Sequence, residues 1–167
     1  FGYNGSNTIE PGQSWEDYAN VNLLKDKNVK SLRIPSGTTA NYWDWREGWF
    51  LKEHELPQGW LYEKEKYKAA TIGGNEMINI KPHVDGLGAS PVYLFNMLTS
   101  DFHYQLASLY RANQLNLPVK YVELGNEFYL NEAHHRSKFP NAGDYALACN
   151  DWTSRLKAIA PFADMKV

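Results

Sequence analysis

Cysteine is nearly missing from this chain. Cys149 is the one thiol in 167 residues, so no disulfide forms within the chain and the redox compartment stays open. Long apolar runs are missing too. Nothing reaches the ~20 residues that span a bilayer, so no membrane partner is expected. Excess charge is absent: 17 Lys and Arg stand against 19 Asp and Glu, a net charge of −2, with a pI near 6.2. That balance leaves no footprint for nucleic acid or another polyanion. There is no phosphate-cradling glycine motif and no well-placed catalytic lysine, which tells against a phosphate-handling aldolase or isomerase. Histidines are few. His83 and Asp85 have no third ligand at a sensible spacing, and the neighbours His134 and His135 are poorly set to share one ion, so no metal or other cofactor is expected.

Aromatic residues are plentiful, with six Trp and 11 Tyr. Their faces can stack on sugars, although most large aromatics fill cores. The length suffices for one domain with a real core. It falls short of the roughly 250 residues of a complete (β/α)8 barrel.

The chain alternates between strand and helix signals. Phe1 to Asn4 reads as a strand. Ser14-Trp15-Glu16-Asp17 resembles a capping box and predicts a helix to about Lys27. Val29 to Pro35 is a second strand, with Leu32 and Ile34 on one face and Ser31 and Arg33 on the other. Residues 46–74 are expected to be a rim-loop insertion. Lys52-Glu53-His54-Glu55 and Glu63-Lys64-Glu65-Lys66 alternate in charge, and Pro57, Gly59, Gly73 and Gly74 interrupt the segment. A helix is predicted near Asn75 to Leu87, although Pro82 argues against a continuous one. Pro91 to Thr99 reads as a third, fully buried strand. Ser100 or Asp101 then caps a helix running to about Asn116, and Val119 to Leu124 forms a fourth strand. Residues 129–143 read as a second rim loop. From Asp144, the residues Tyr145, Ala148, Cys149, Trp152, Leu156 and Ile159 make an amphipathic stripe, so Cys149 is a packing residue and not a nucleophile. Met165 to Val167 reads as the opening of another strand. This order predicts an α/β fold with a parallel sheet of right-handed βαβ units.

The polar pair Asn126-Glu127 follows the fourth strand directly. In such folds ligands bind at the C-terminal ends of the strands. Arg33 and Glu123 both point toward the barrel interior by strand parity. A buried guanidinium needs a partner, so an Arg33–Glu123 ion pair is predicted. By itself that pair reads as a structural contact.

Tyr121-Val122-Glu123-Leu124-Gly125-Asn126-Glu127 resembles the fourth-strand motif of the clan A retaining glycoside hydrolases, and most of all their heparanase-like and arabinofuranosidase-like branches. The segments Ser36 to Trp45 and Tyr93 to Thr99 resemble the same group. The resemblance implies a (β/α)8-barrel glycosidase acting on a polysaccharide or glycoconjugate, with this chain as the N-terminal half of the TIM barrel, strands one to four. Glu127 is then the general acid/base and Asn126 contacts the sugar 2-hydroxyl, while Arg33 belongs to the site floor. Residues 1–167 are expected to form a single barrel domain cut at the opening of strand five. The nucleophile, a Glu after strand seven in that clan, lies outside the chain. The rest of the barrel, on the same or a second chain, is the expected partner, and secretion or a periplasmic location follows only from such relatives. Trp43, Trp45 and Trp49 are candidates for a sugar-stacking wall or for packing the loop onto the barrel. Asn96 either reaches the site or is a hydrogen-bonded core amide. Tyr129 and Asp44 are further rim candidates. His103 reads as a surface histidine. The alternative function is a non-catalytic carbohydrate-binding protein on the same scaffold.

Overall fold

The computed structural model describes residues 2–5, 15, 22, 24–52, 55–56, 75–130 and 132–167. The strands are β1 (Gly2–Asn4), β2 (Ser31–Ile34), β3 (Trp43–Asp44), β4 (Trp49–Phe50), β5 (Ser90–Phe95) and β6 (Tyr121–Leu124). The helices are α1 (Met77–Leu87), α2 (Phe102–Gln114), α3 (Ala133–Lys138) and α4 (Ala142–Lys157). β1, β2, β5 and β6 form one parallel sheet in that order, and β3 and β4 make a separate antiparallel hairpin. Each unit of the main sheet adds to the same edge. Among the described strands there is no reversal of order of the kind that marks a doubly wound sheet, and this is how a (β/α) barrel grows.

Beyond β6 the sheet continues. The Lys166 N–H donates to the Lys120 carbonyl at 3.0 Å, and the Val122 N–H donates to the Lys166 carbonyl at 2.8 Å. The result is a parallel bridge between Tyr121 and Lys166, as predicted for the start of another strand.

Strand parity sorts the side chains. Leu32, Ile34, Tyr93, Phe95, Val122 and Leu124 face the helices and are all buried. They share one core with Met77, Ile80 and Val84 of α1, Leu109 and Ala112 of α2, and Leu156 of α4. Each fully buried side chain of this kind contributes roughly 1.5–3 kcal/mol. The opposite face carries Arg33, Val92, Tyr121 and Glu123. Register pairs Arg33 with Val92 and Val92 with Tyr121, and Glu123 sits two residues further along.

Several predicted boundaries move. α1 runs unbroken through Pro82. The carbonyl that loses its partner to the proline belongs to Ile78, whose side chain is 55% exposed, so the gap opens toward solvent. β5 stops at Phe95, because Asn96 turns the chain. The rim segment after Glu127 contains α3, in which only His135 is buried, so no apolar period announced it. α4 starts at Ala142, capped by the Asn141 side chain. The stripe from Tyr145 is real but shallow: Leu156 is its buried member, and Tyr145, Ala148, Cys149, Trp152 and Ile159 pack against the core partly exposed. The capping box at Ser14 and most of its helix lie outside the described residues, as do 57–74 of the rim insertion. Residues 43–50 of the rim form the β3–β4 hairpin.

Candidate active site

The chain makes a sharp turn at the C-terminal end of β6. Gly125 has φ +70°, and a Cβ there would sit 2.2 Å from the Phe128 ring. No other residue fits that position. Two residues on, Glu127 also adopts a left-handed backbone, φ +54°. This is uncommon for a non-glycine residue, and such strain gathers at functional sites. Phe128 anchors the turn from below. Its ring lies 5.0 Å from His135, 4.9 Å from Phe139 and 5.0 Å from Tyr145.

The predicted ion pair is present. Arg33 Nε donates to Glu123 Oε2 at 2.8 Å, and Nη2 donates to Glu123 Oε1. The two residues sit on β2 and β6 with β5 between them, a gap of roughly 9–10 Å that two long side chains close. Arg33 Nη2 also donates to Asn126 Oδ1 at 3.0 Å. That bond turns the Asn126 Nδ2 toward Glu127, where it donates to Oε2 at 3.0 Å. Tyr129, 79% exposed, donates its hydroxyl to Glu127 Oε1 at 2.9 Å, and Thr38 Oγ1 reaches Oε2 at 3.4 Å. Arg33, Asn126, Glu127 and Tyr129 therefore form one cluster.

The Glu127 carboxyl has its pKa lowered, first by the Tyr129 hydroxyl, then by the Asn126 amide, with smaller help from Thr38 and Arg33. The carboxylate is exposed, so burial opposes ionisation weakly while several donors favour the charged form. Tyr129 is raised in turn, mainly by its bond to Glu127.

Other predicted residues sit apart from this cluster. Trp43 and Trp49 are core rings, 6% and 9% exposed, packed edge-on against each other and against Phe50. They do not form an exposed wall. Trp45 is half-buried; its Nε1 donates to the Tyr104 carbonyl at 3.0 Å, and the Arg46 guanidinium lies over its ring. Asn96 is the core amide. Its Oδ1 accepts the Thr99 N–H at 2.9 Å, and its Nδ2 donates to Thr99 Oγ1 at 2.7 Å and to the Trp43 carbonyl at 3.2 Å. Every polar atom of that side chain is used inside the fold. Asp44 is buried, accepting from the Tyr104 hydroxyl at 2.6 Å and from the Arg46 N–H at 2.8 Å. With Trp43, Arg46, Glu47 and Tyr104 it borders a separate depression of about 400 Å³. His103 is exposed and meets Arg155. No group of three ligating side chains able to hold a metal occurs among the described residues.

Two residues were not singled out in the sequence. Thr38 and Asn41 both lie in the short 3-10 segment Thr38–Tyr42 that follows β2. Thr38 touches Glu127, and Asn41 bonds the backbone of Asn126. Their position after a barrel strand was the available signal, but nothing in the residue types separated them from their neighbours.

The fold has solved counterparts. A GH51 α-L-arabinofuranosidase from Thermotoga petrophila RKU-1 superposes with a TM-score of 0.59 and 23% identity, over 85% of this chain and 31% of that one. The α-L-arabinofuranosidase of Thermotoga maritima, solved as an arabinose complex, gives the same values. A family 51 α-L-arabinofuranosidase from Bifidobacterium longum gives 0.58 and 18%, over 83% of this chain and 29% of that one. The chain thus spans about three tenths of the length of these enzymes, and it has the fold of the N-terminal part of a glycoside hydrolase barrel. No protein-family profile and no curated protein matches it. No helix among the described residues is long and apolar enough to cross a membrane.

Proposed function

We propose that this chain supplies the acid/base half of a retaining glycosidase site. Glu127 protonates the departing glycosidic oxygen and then takes a proton from the attacking water. Asn126 holds the sugar 2-hydroxyl, Arg33 fixes the Asn126 amide, and Tyr129 borders the sugar. The nucleophile is a carboxylate outside this chain, about 5–5.5 Å from Glu127 in the assembled site. The observation that carries this reading is the strained turn after β6, where Glu127 stands at φ +54° with the Asn126 amide on its carboxylate.

The partner is the remaining half of the barrel, and residues 1–167 make one barrel domain with 46–74 as a rim insertion. The solved counterparts are named α-L-arabinofuranosidases, so α-L-arabinofuranosides are the substrates to try first. A secreted or periplasmic location suits a polysaccharide-degrading enzyme.

The lowered pKa of Glu127 is compatible with this role once the nucleophile is in place. A second carboxylate nearby raises the first, because two negative charges at that distance disfavour each other. The acid form then becomes available near neutral pH.

The test is made on the full-length protein with aryl glycosides. Glu127→Gln is expected to lower kcat/KM by about 10²–10⁴-fold toward substrates with poor leaving groups. With a good leaving group, Glu127→Ala plus azide is expected to recover turnover and yield a glycosyl azide. Sugar binding without turnover in the parent protein favours the carbohydrate-binding alternative. Unchanged turnover in Glu127→Gln removes Glu127 from the acid/base role.

A further inference from the structure

Asn41 is fully buried and spends both ends of its amide on a single residue. Its Oδ1 accepts the Asn126 N–H at 3.2 Å, and its Nδ2 donates to the Asn126 carbonyl at 2.9 Å. A peptide N–H can only donate and a carbonyl can only accept, so the Asn41 amide has one permitted orientation. In that orientation Nδ2 also faces His135 Nε2 at 3.4 Å. Two donors cannot bond, so this contact is a hydrogen bond only when His135 accepts at Nε2 and carries its proton on Nδ1. The His135 Nδ1 is buried without a partner among the described residues. An orphaned buried polar atom of this kind calls for an explanation. Glu132 is the charged group beside the ring, 3.6 Å from Nε2, and the Phe128 ring packs 5.0 Å away. Asn41 is itself tied down, because Thr99 Oγ1 donates to its carbonyl at 2.8 Å.

We infer that Asn41 and His135 are positioning residues that clamp the Asn126 backbone and so hold Glu127 in its left-handed conformation. Neither touches the Glu127 carboxylate. Asn41 bonds both peptide groups of the residue just before it. His135 orients Asn41 by accepting from Nδ2. Three separate segments meet here: the turn after β2, the loop after β5 and the turn after β6. The clamp therefore ties the acid/base turn to two neighbouring strand ends. The inference rests on the reading of Glu127 as acid/base, and it deepens that reading.

Three variants of the full-length protein test it. Asn41→Leu keeps the volume and removes both bonds. His135→Gln keeps an acceptor for the Asn41 amide, and His135→Leu does not. Two readouts are needed: kcat/KM on aryl arabinofuranosides with poor and good leaving groups, and amide hydrogen exchange over residues 125–130. A loosened acid should cost part of the general acid contribution. Asn41→Leu is expected to lose about 10–100-fold with poor leaving groups and only about threefold with good ones. Exchange over 125–130 should quicken. His135→Gln should stay within about threefold of the parent, and His135→Leu should follow Asn41→Leu. A folded Asn41→Leu protein with unchanged exchange and unchanged leaving-group dependence overturns the inference. If Asn41→Leu does not fold, the two His135 variants decide, and equal behaviour of Gln and Leu overturns it. If Glu127→Gln leaves the leaving-group dependence untouched, the acid/base reading fails instead. Hydrogen exchange then still shows whether the clamp exists.

Discussion

Arg33 Nη2 donates to Asn126 Oδ1 at 3.0 Å while the same guanidinium grips Glu123. One cation on β2 thereby sets the orientation of an amide at the end of β6. The pair is only partly covered, with side-chain exposures of 25% for Arg33 and 41% for Glu123. Solvent screening limits its worth to stability, to about 1 kcal/mol or less. Its consequence for the Asn126 amide is larger, because a free amide can rotate. Arg33→Lys keeps the charge and loses the planar fork. It is expected to shift the melting temperature by only a few degrees and to reduce kcat/KM by at least about tenfold, a loss of about 1.4 kcal/mol in transition-state binding. Equal, small effects on both would mean that the contact is structural.

The turn after β6 makes opposite predictions at two positions. At Gly125, φ +70° and the Phe128 ring leave no room for a methyl group. Gly125→Ala is expected to destabilise the protein by about 1–3 kcal/mol or more. At Glu127 the left-handed backbone is already strained. Glu127→Gly relieves that strain and is expected to raise stability by up to about 1 kcal/mol while abolishing turnover. Urea titration of both variants reads the two signs. A destabilised Glu127→Gly protein would show that the carboxylate contacts outweigh the backbone cost.

Tyr129 is the main cause of the lowered Glu127 pKa. A carboxylate lowered in the folded state adds stability that is present above its ordinary value. That stability is lost as pH falls through the lowered value. Tyr129→Phe removes the largest donor, so Glu127 should titrate at higher pH and the acid end of the stability curve should flatten. Carboxyl carbon NMR of the two proteins measures this directly. Identical Glu127 titrations would show that the Tyr129 hydroxyl does not hold the carboxylate in solution.

Asn96 and Trp43 are expected to behave as structural residues. Asn96→Ala strips partners from the Thr99 N–H and the Trp43 carbonyl. Leaving such groups buried and unpaired costs about 1–3 kcal/mol. Trp43→Ala empties a core position and should cost about 3–5 kcal/mol. In both variants the folded fraction should keep the parent KM. A raised KM with normal stability would return either residue to the candidate site.

Much of the site was legible because strand parity is a local rule. Leu32 and Ile34 have to share a face opposite Arg33, and Glu123 has to share a face with Tyr121, so the ion pair is legible in the sequence. The Trp cluster was not legible. An aromatic run reads the same whether it lines a groove or fills a hairpin, and only the tertiary packing on both faces of the β3–β4 hairpin buries Trp43 and Trp49. The continuity of α1 through Pro82 was likewise decided by tertiary packing, since Met77, Ile80 and Val84 are buried on one side of the proline's helix.

The sequence by itself determined the alternation of strands and helices, the polar pair after β6 and the inward aim of Arg33 and Glu123. These follow from periodicity and from which residues tolerate a strand end. Only the tertiary structure decided which rim side chains meet Glu127. Asn41 lies 85 residues from Asn126 in the chain and His135 lies 94 residues from Asn41, and no local pattern links positions so far apart. It likewise decided the charge state of Glu127, because a pKa depends on the donors that surround the carboxylate in space.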